Sequence, residues 1–215
     1  VVRSGVCLEE NSTEVTIKVD PITVGGTLSS DTTVCSESNT GTIALSGETG
    51  GVVRWELSTD NFVSSTPISN TTTNLDYTDL TVTTKYRAVV QSGNCSEKNS
   101  TEVTVKVDPL TNGGTLNSSK SVCSGSNTGT LTLSGETGSV VRWESSIDNF
   151  VSSTPISNTT TRLDYTDLTD TTKYRVVVRS GVCLEENSTE VTIKVDPITV
   201  GGTLSSDTTV CSESN

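Results

Sequence analysis

The sequence predicts an all-β protein made of tandem β-sandwich domains, and three observations carry that prediction. First, the chain repeats. Cys7, Cys95 and Cys183 are 88 residues apart, as are Cys35, Cys123 and Cys211, and Trp55 and Tyr86 recur as Trp143 and Tyr174. Second, only 31% of residues are apolar and 4% aromatic. Thr, Val, Ser, Gly and Asn dominate, the first two favouring strands and the others turns. Third, each repeat divides into short runs of alternating apolar residues between turn signals, with no amphipathic helical period.

The repeat also sets the organisation. Residues 21–108 and 109–196 differ at 20 of 88 positions, whereas residues 1–39 and 177–215 are identical. The stricter unit is thus a pair of domains of 176 residues followed by a 39-residue overlap, and the sequence reads as a window on a longer tandem array. We expect complete domains at 21–108 and 109–196, C-terminal strands of a preceding repeat at 1–20, and the N-terminal part of a following repeat at 197–215. Each last strand ends in KVDP, at Asp20-Pro21, Asp108-Pro109 and Asp196-Pro197. Proline cannot continue a ladder and stiffens the exit, so each Asp-Pro marks a domain junction. A repeat of this size holds a thin core and no deep cleft.

Within residues 21–108, TIALS (42–46) places Ile43 and Leu45 on one face. VVRWEL (52–57) is expected to point Val53, Trp55 and Leu57 inward, and Arg54 and Glu56 outward. Pro67 marks an edge strand or bend. NLDYTDL buries Leu75 and Tyr77, KYRAVVQS buries Tyr86, Ala88 and Val90, and TEVTVKV buries Val103, Val105 and Val107. The second repeat keeps the pattern with Tyr174, Val176, Val178, Val191, Ile193 and Val195. About seven short strands at this spacing argue for a sandwich.

Charge and composition exclude several functions. The net charge is −12, and both repeats share it. An evenly acidic surface repels nucleic acid and anionic membranes. No apolar run is long enough to span a bilayer. The chain contains no His, so Ser–His–Asp and Cys–His chemistry is impossible. Carboxylates such as Glu56 and Asp60 read as an outward strand residue and a turn residue rather than an acid/base pair. The sequence therefore points away from an enzyme and requires no cofactor. Calcium at the domain junctions is the one cation to consider, through Glu102, Asp108, Glu190 and Asp196, although no DxDxDG loop accompanies them.

Cysteines at two fixed places per repeat suggest disulfides and an oxidising compartment. Zinc is disfavoured, because each repeat offers two Cys and no His. The favoured pairing is intradomain, Cys35 with Cys95 and Cys123 with Cys183. Each bond would close about 60 residues and contribute roughly 4 kcal/mol by loop entropy. The rival pairing, Cys7–Cys35, Cys95–Cys123 and Cys183–Cys211, bridges neighbouring domains. It meets the objection that Cys95 precedes the last strand and sits at the pole away from the next domain.

LTVTTKYRAVV (80–90) resembles the tyrosine corner of fibronectin-III-like and immunoglobulin-like sandwiches. The resemblance implies that the Tyr86 and Tyr174 hydroxyls bond to nearby backbone, and that Trp55 and Trp143 are the central-strand tryptophans. Val82 and Asp170 stand where the fibronectin pattern favours Pro. The whole repeat, with its SGETG, VVRWE, DNF and LDYTDLT segments, resembles the immunoglobulin-like repeats of giant surface adhesins of Bacteroidetes, of the SprB gliding-motility type. That resemblance implies export, a cell-surface extracellular location and a long filament engaged in adhesion and gliding motility. The partners it implies are neighbouring repeats, surface polysaccharide and other adhesin chains. It also turns Asp-Thr-Thr at 31–33, 170–172 and 207–209 into candidate O-glycosylation sites at Thr32, Thr171 and Thr208. Asn-x-Ser/Thr triplets occur too, for example at Asn70 and Asn158. The reading that follows is a structural stalk segment. Its alternative is an array of weak carbohydrate- or protein-binding modules acting by avidity.

Overall fold

A computed structural model describes residues 1–204, 209, 211 and 212. The chain divides into two units, Val1–Asp108 and Pro109–Asn215. All regular structure among the described residues is β.

The first domain contains β1 (Thr27–Leu28), β2 (Thr32–Cys35), β3 (Thr40–Ser46), β4 (Gly51–Ser58), β5 (Thr66–Ile68), β6 (Asn74–Thr78), β7 (Thr84–Gln91), β8 (Lys98–Asn99) and β9 (Val103–Asp108). One sheet has the order β1-β3-β6, and the other β2-β9-β7-β4-β5 with β8 added to β7. All pairs are antiparallel except β2 and β9, which run parallel in the register Thr32↔Val105 to Cys35↔Asp108. The second domain repeats this as β10 (Thr115–Leu116), β11 (Lys120–Cys123), β12 (Thr128–Ser134), β13 (Ser139–Ser146), β14 (Thr154–Ile156), β15 (Arg162–Thr166), β16 (Thr172–Arg179), β17 (Glu186–Asn187) and β18 (Val191–Asp196). There β11 and β18 are the parallel pair. The two two-residue strands of each domain, β1 and β8 or β10 and β17, and this parallel pairing, go beyond the seven antiparallel strands read from sequence.

The core lies between the sheets. Ile43 and Leu45 of β3 and Leu75 and Tyr77 of β6 face Trp55, Tyr86, Ala88, Val90, Val103 and Val105 of the larger sheet. Trp55 is completely buried, and its Nε1–H donates to the Thr72 carbonyl at 3.0 Å. That carbonyl is fixed by a local turn in which Asn70 Oδ1 accepts from the Thr72 amide and hydroxyl at 2.7 and 2.9 Å. Trp143, Thr160 and Asn158 reproduce the arrangement. In this way an indole N–H that would be costly to leave unpaired is satisfied.

Two expectations are corrected here. Val53 does not point inward. The pairing of β4 with β7 shifts register between Val52 and Arg54, and this bulge buries Val52 while leaving Val53 exposed. An extra residue on one strand moves every side chain beyond it to the other face, and the bulge is what sets Trp55 inward from a run of two valines. Val140 and Val141 repeat the effect at the same place on β13.

The second correction concerns the tyrosine corner. Tyr86 and Tyr174 are buried, but neither hydroxyl bonds to backbone among the described residues. Each ring stacks instead on a second tyrosine, Tyr77 or Tyr165, with centroids 6.4 Å apart. Burial, and then the neighbouring Tyr77, push the Tyr86 phenol above its ordinary pKa. The crossing between sheets is held by Asn39, which the sequence reading missed. Its Nδ2 donates to the Cys35 and Leu80 carbonyls at 2.7 and 2.8 Å, and its Oδ1 accepts from the Leu80 amide. Asn127 does the same in the second domain. Gly41 belongs to this region as well, because a Cβ there would collide with the Tyr77 hydroxyl.

Residues 1–20 form no named strand, only a bridge between Val2 and Glu10. Val15 and Ile17 are 80% and 84% exposed, whereas their sequence-identical counterparts Val191 and Ile193 are 2% and 0% exposed. The same sequence thus has two different exposures within one chain.

Replacing Trp55 by Ala should cost the first domain about 3 to 5 kcal/mol, the usual loss for a large buried aromatic. Urea unfolding followed by circular dichroism checks this, with Trp143 fluorescence reporting an unchanged second domain. A loss under about 1 kcal/mol would contradict the placement of Trp55 at the centre of the core.

Candidate functional site

The densest group of charged side chains lies on the outer face of the larger sheet. The β4–β7 register sets Glu56 opposite Arg87, and strand alternation brings Arg54 to the same face. Arg54 Nε donates to Glu56 Oε1 at 3.0 Å and Arg54 Nη1 to Glu97 Oε2 at 2.9 Å. Arg87 Nη2 closes on Glu56 Oε2 at 2.7 Å, while its guanidinium lies 4.1 Å from the centre of the Phe62 ring. Further along, Lys85 bonds Glu102 and Asn61. Arg142, Glu144, Glu185, Arg175 and Phe150 repeat the ladder in the second domain.

Glu56 is buried beneath its arginines although its strand position points outward. Burial opposes its ionisation. The hydrogen bonds from Arg87 and Arg54 outweigh that and hold the carboxyl below its ordinary pKa. Glu144 behaves identically. A carboxylate locked by two guanidinium groups is a poor general acid or base, because its proton affinity is spent.

The loop after β4 is equally self-contained. Asn61 and Phe62 have φ of 61° and 59°, a left-handed conformation uncommon for such residues. Asp60 supports it by accepting from the Ser64 hydroxyl and amide and from the Ser58 hydroxyl. The Ser64 and Ser58 bonds lower the Asp60 pKa to about 2, and Asp148 matches it at about 2. The sequence reading took Glu56 and Asp60 as solvated strand and turn carboxylates; Asp60 is an exposed turn residue, but Glu56 on its strand is buried. That reading did not foresee the ladder, whose only sequence signal was the spacing Arg-x-Glu on one strand opposite Arg on another.

The junction carboxylates each contact a lysine. Glu102 pairs with Lys85 and Asp108 with Lys106, and Glu190 and Asp196 pair with Lys173 and Lys194. No cluster of three or more metal-ligating residues occurs among the described residues. Thr32 is exposed on β2, and Thr171 is exposed with its hydroxyl accepting from the Val195 amide at 3.0 Å. These two occupy different places in their domains, and Thr208 lies outside the described residues. Asn70 and Asn158 use their side-chain amides within their own turns. A depression of about 290 Å³ beside β11 and β18 is lined by Ser119, Lys120, Ser121, Thr192 and Lys194, none of them arranged for catalysis.

The intradomain disulfides are not formed. Cys95 and Cys123 are free thiols, whereas Cys35 and Cys183 are disulfide-bonded. The rival pairing fails too, since Cys7 and Cys211 are free. The reason is polarity. Cys35 ends β2 alongside Asp108, the last residue of β9. Cys95 lies at the other pole, its Sγ 3.4 Å from the Pro21 carbonyl oxygen. The length of β9, six residues or about 20 Å, separates them, far beyond the Cα separation of about 7 Å that a disulfide tolerates.

Two thin sheets closed over a tryptophan, repeated in tandem, define a protein of immunoglobulin-like sandwich domains. Among solved structures the chain resembles titin domains A168–A170, with TM-score 0.50, 14% identity, and coverage of 81% of this chain and 68% of the titin fragment. It also aligns with the N-terminal four Ig domains of Dscam1 isoform 9.44, with TM-score 0.42, 12% identity, and coverage of 84% of this chain and 47% of that one. The chain therefore spans about two thirds of the titin fragment and about half of the Dscam1 fragment. No curated protein matches it. The chain belongs to the family described as Domain of unknown function (DUF8696), which matches twice, over residues 24–109 and 112–197.

The depressed carboxylates carry a pH prediction. Asp60 and Asp148, ordinarily near 3.8, have folded values of about 2. A group whose pKa is lowered on folding contributes stability above its unfolded value and loses it as pH falls through the folded one. The fold should therefore hold at pH 4 and weaken between about pH 4 and pH 2. Carboxyl-carbon NMR should show Asp60 and Asp148 titrating near 2, and midpoints near 4 would contradict the loop geometry.

Proposed function

We propose that this chain is a segment of the structural stalk of a long, repetitive extracellular adhesin. The observation that carries the reading is the parallel pairing of β2 with β9, and of β11 with β18. Strands near the two ends of each domain lie side by side and run the same way. Tension applied through the chain then pulls them in opposite directions along their axes and loads all four paired residues together in shear. An antiparallel terminal pair would instead open one bond at a time. Such a clamp is what a tension-bearing unit requires.

The charged groups support the same reading. In both domains they are consumed by the fold, in the Arg–Glu ladder and the Asp60 and Asp148 loops. The positions that differ between domains include Asn74/Arg162, Val82/Asp170 and Lys98/Glu186, all exposed. Polarity and charge change there freely, which argues against a ligand site shared by both domains and hence against the avidity array. The likeness of the repeat to Bacteroidetes surface adhesins supports a cell-surface location, and adhesion and gliding motility are the roles that likeness adds. Neighbouring repeats are the partners the stalk reading implies, whereas surface polysaccharide would be the partner of the avidity array it argues against.

Stretching the reduced 215-residue chain tests it. Two abrupt ruptures are expected, each releasing about 300 Å of contour for an 88-residue domain. Val34→Pro, which puts a residue without an N–H into the β2–β9 clamp, should lower the rupture force of the first domain alone. Featureless extension at low force would overturn the stalk reading.

A further inference from the structure

The two domains differ most where each builds its parallel clamp. Five of the 20 differences between residues 21–108 and 109–196 fall within residues 29–37, at Ser29/Asn117, Asp31/Ser119, Thr32/Lys120, Thr33/Ser121 and Glu37/Gly125. That stretch contains β2 or β11, whereas the partner strands β9 and β18 differ only at Val105/Ile193. One of these exchanges alters a bond across the clamp. In the first domain the Thr104 amide of β9 donates to the Asp31 carboxylate at 2.7 Å. In the second domain the Thr192 amide of β18 donates to the Ser119 hydroxyl oxygen at 3.0 Å. The side-chain bonds further along the same strands are unchanged: the Val107 amide donates to the Thr83 hydroxyl and the Val195 amide to the Thr171 hydroxyl, both at 3.0 Å.

Asp31 stands one residue before β2, at the end of the clamp that tension reaches first from the N-terminal side. Its bond to Thr104 is therefore loaded together with the paired residues Thr32–Cys35. A hydrogen bond from a backbone N–H to a carboxylate is shorter than one to a neutral hydroxyl and roughly twice as strong. The strand itself points the same way, because Thr32 and Thr33 are β-branched and favour a strand more than Lys120 and Ser121 do.

We propose that the two domains are mechanically graded, the second opening under tension before the first, because Asp31 locks β2 onto β9 more firmly than Ser119 locks β11 onto β18. The grading rests on the stalk reading and adds to it a reason for a repeat of two domains rather than one. The sequence steps through Asp31, Ser119 and Asp207 at intervals of 88 residues, so acid and hydroxyl alternate. An array of such pairs yields in two stages: at moderate tension the weaker domains extend and release half of the stored length, while the firmer ones hold.

Clamp strength and overall stability are separate quantities here. Glu37 and Gly125 share a left-handed backbone, with φ of 71° and 72°, a conformation that glycine adopts freely and glutamate does not. This strain lowers the stability of the first domain, but it lies beyond Cys35, outside the residues paired in the clamp. The order of rupture is therefore set by Asp31 and Ser119 and need not follow the order of urea midpoints.

Force spectroscopy of the reduced 215-residue chain and four of its variants tests the proposal. The unmodified chain should give two ruptures at different forces. Asp31→Ser should bring the stronger peak down to the weaker, and Ser119→Asp should bring the weaker up to the stronger. Ser119 borders an open depression with Lys120 and Lys194, so a carboxylate fits there and the second variant reports even where the first folds poorly. The double exchange should restore two unequal peaks. Asp60→Asn, in a loop away from the clamp, should lower the urea midpoint of the first domain and leave both peaks in place. Two ruptures of equal force in the unmodified chain would overturn the grading while leaving the stalk reading intact, whereas featureless extension would remove both. A weaker peak that falls further with Asp31→Ser, peaks that neither single exchange moves, or a stronger peak that falls as far with Asp60→Asn would each overturn it too.

Discussion

The constraint on which each domain depends is the burial of one tryptophan in a chain that has little else to bury. With 31% apolar residues, the sheets carry mostly valine, and Trp55 and Trp143 are the largest fully buried side chains. Placing an indole there demands a partner for its N–H, and the Asn70 and Asn158 turns supply one. It also demands that β4 and β13 turn the right face inward, and the bulges after Val52 and Val140 ensure that. In immunoglobulin domains such a tryptophan packs against a disulfide between sheets. Here it packs against aliphatic and tyrosine side chains, leaving the cysteines at the poles.

The outer face follows from the same bulge. Once Trp55 points inward, Arg54 and Glu56 must point outward, where Arg87 and Glu97 complete a ladder with them. Surface ion pairs contribute little singly, but here one carboxylate is shared between two guanidinium groups and shielded from water. Its value is geometric, since it ties β4 to β7 and to the loop carrying Phe62. Charged residues used in this way are unavailable for ligands, which is why the face most suggestive of a site supports a structural role.

Much of the fold was legible in the sequence because strand alternation is a local signal. Ile43, Leu45, Leu75, Tyr77 and Val103 fall where a period of two puts them. Val53 misled because a bulge is set by cross-strand pairing and leaves no mark in a run of two valines. Asn39 was overlooked because its partners, Cys35 and Leu80, lie up to 41 residues away. The disulfide pairing failed for a topological reason: the parallel placement of β2 beside β9, which sends Cys35 to the trailing pole, is a long-range choice. Residues 1–20 state the general lesson most directly, since the same sequence is exposed there and buried at 177–196. Alternation specifies which face can be buried, and tertiary packing buries it.

The central proposal is that the polar chemistry of each domain is spent on its own fold, as suits a tension-bearing unit rather than a ligand-binding one. The most direct test is equilibrium binding of the 215-residue chain to a panel of soluble polysaccharides and glycans. The account predicts no saturable binding to any of them. Saturable binding abolished by equivalent point changes in both domains, at Arg54 and Arg142 for example, would contradict it.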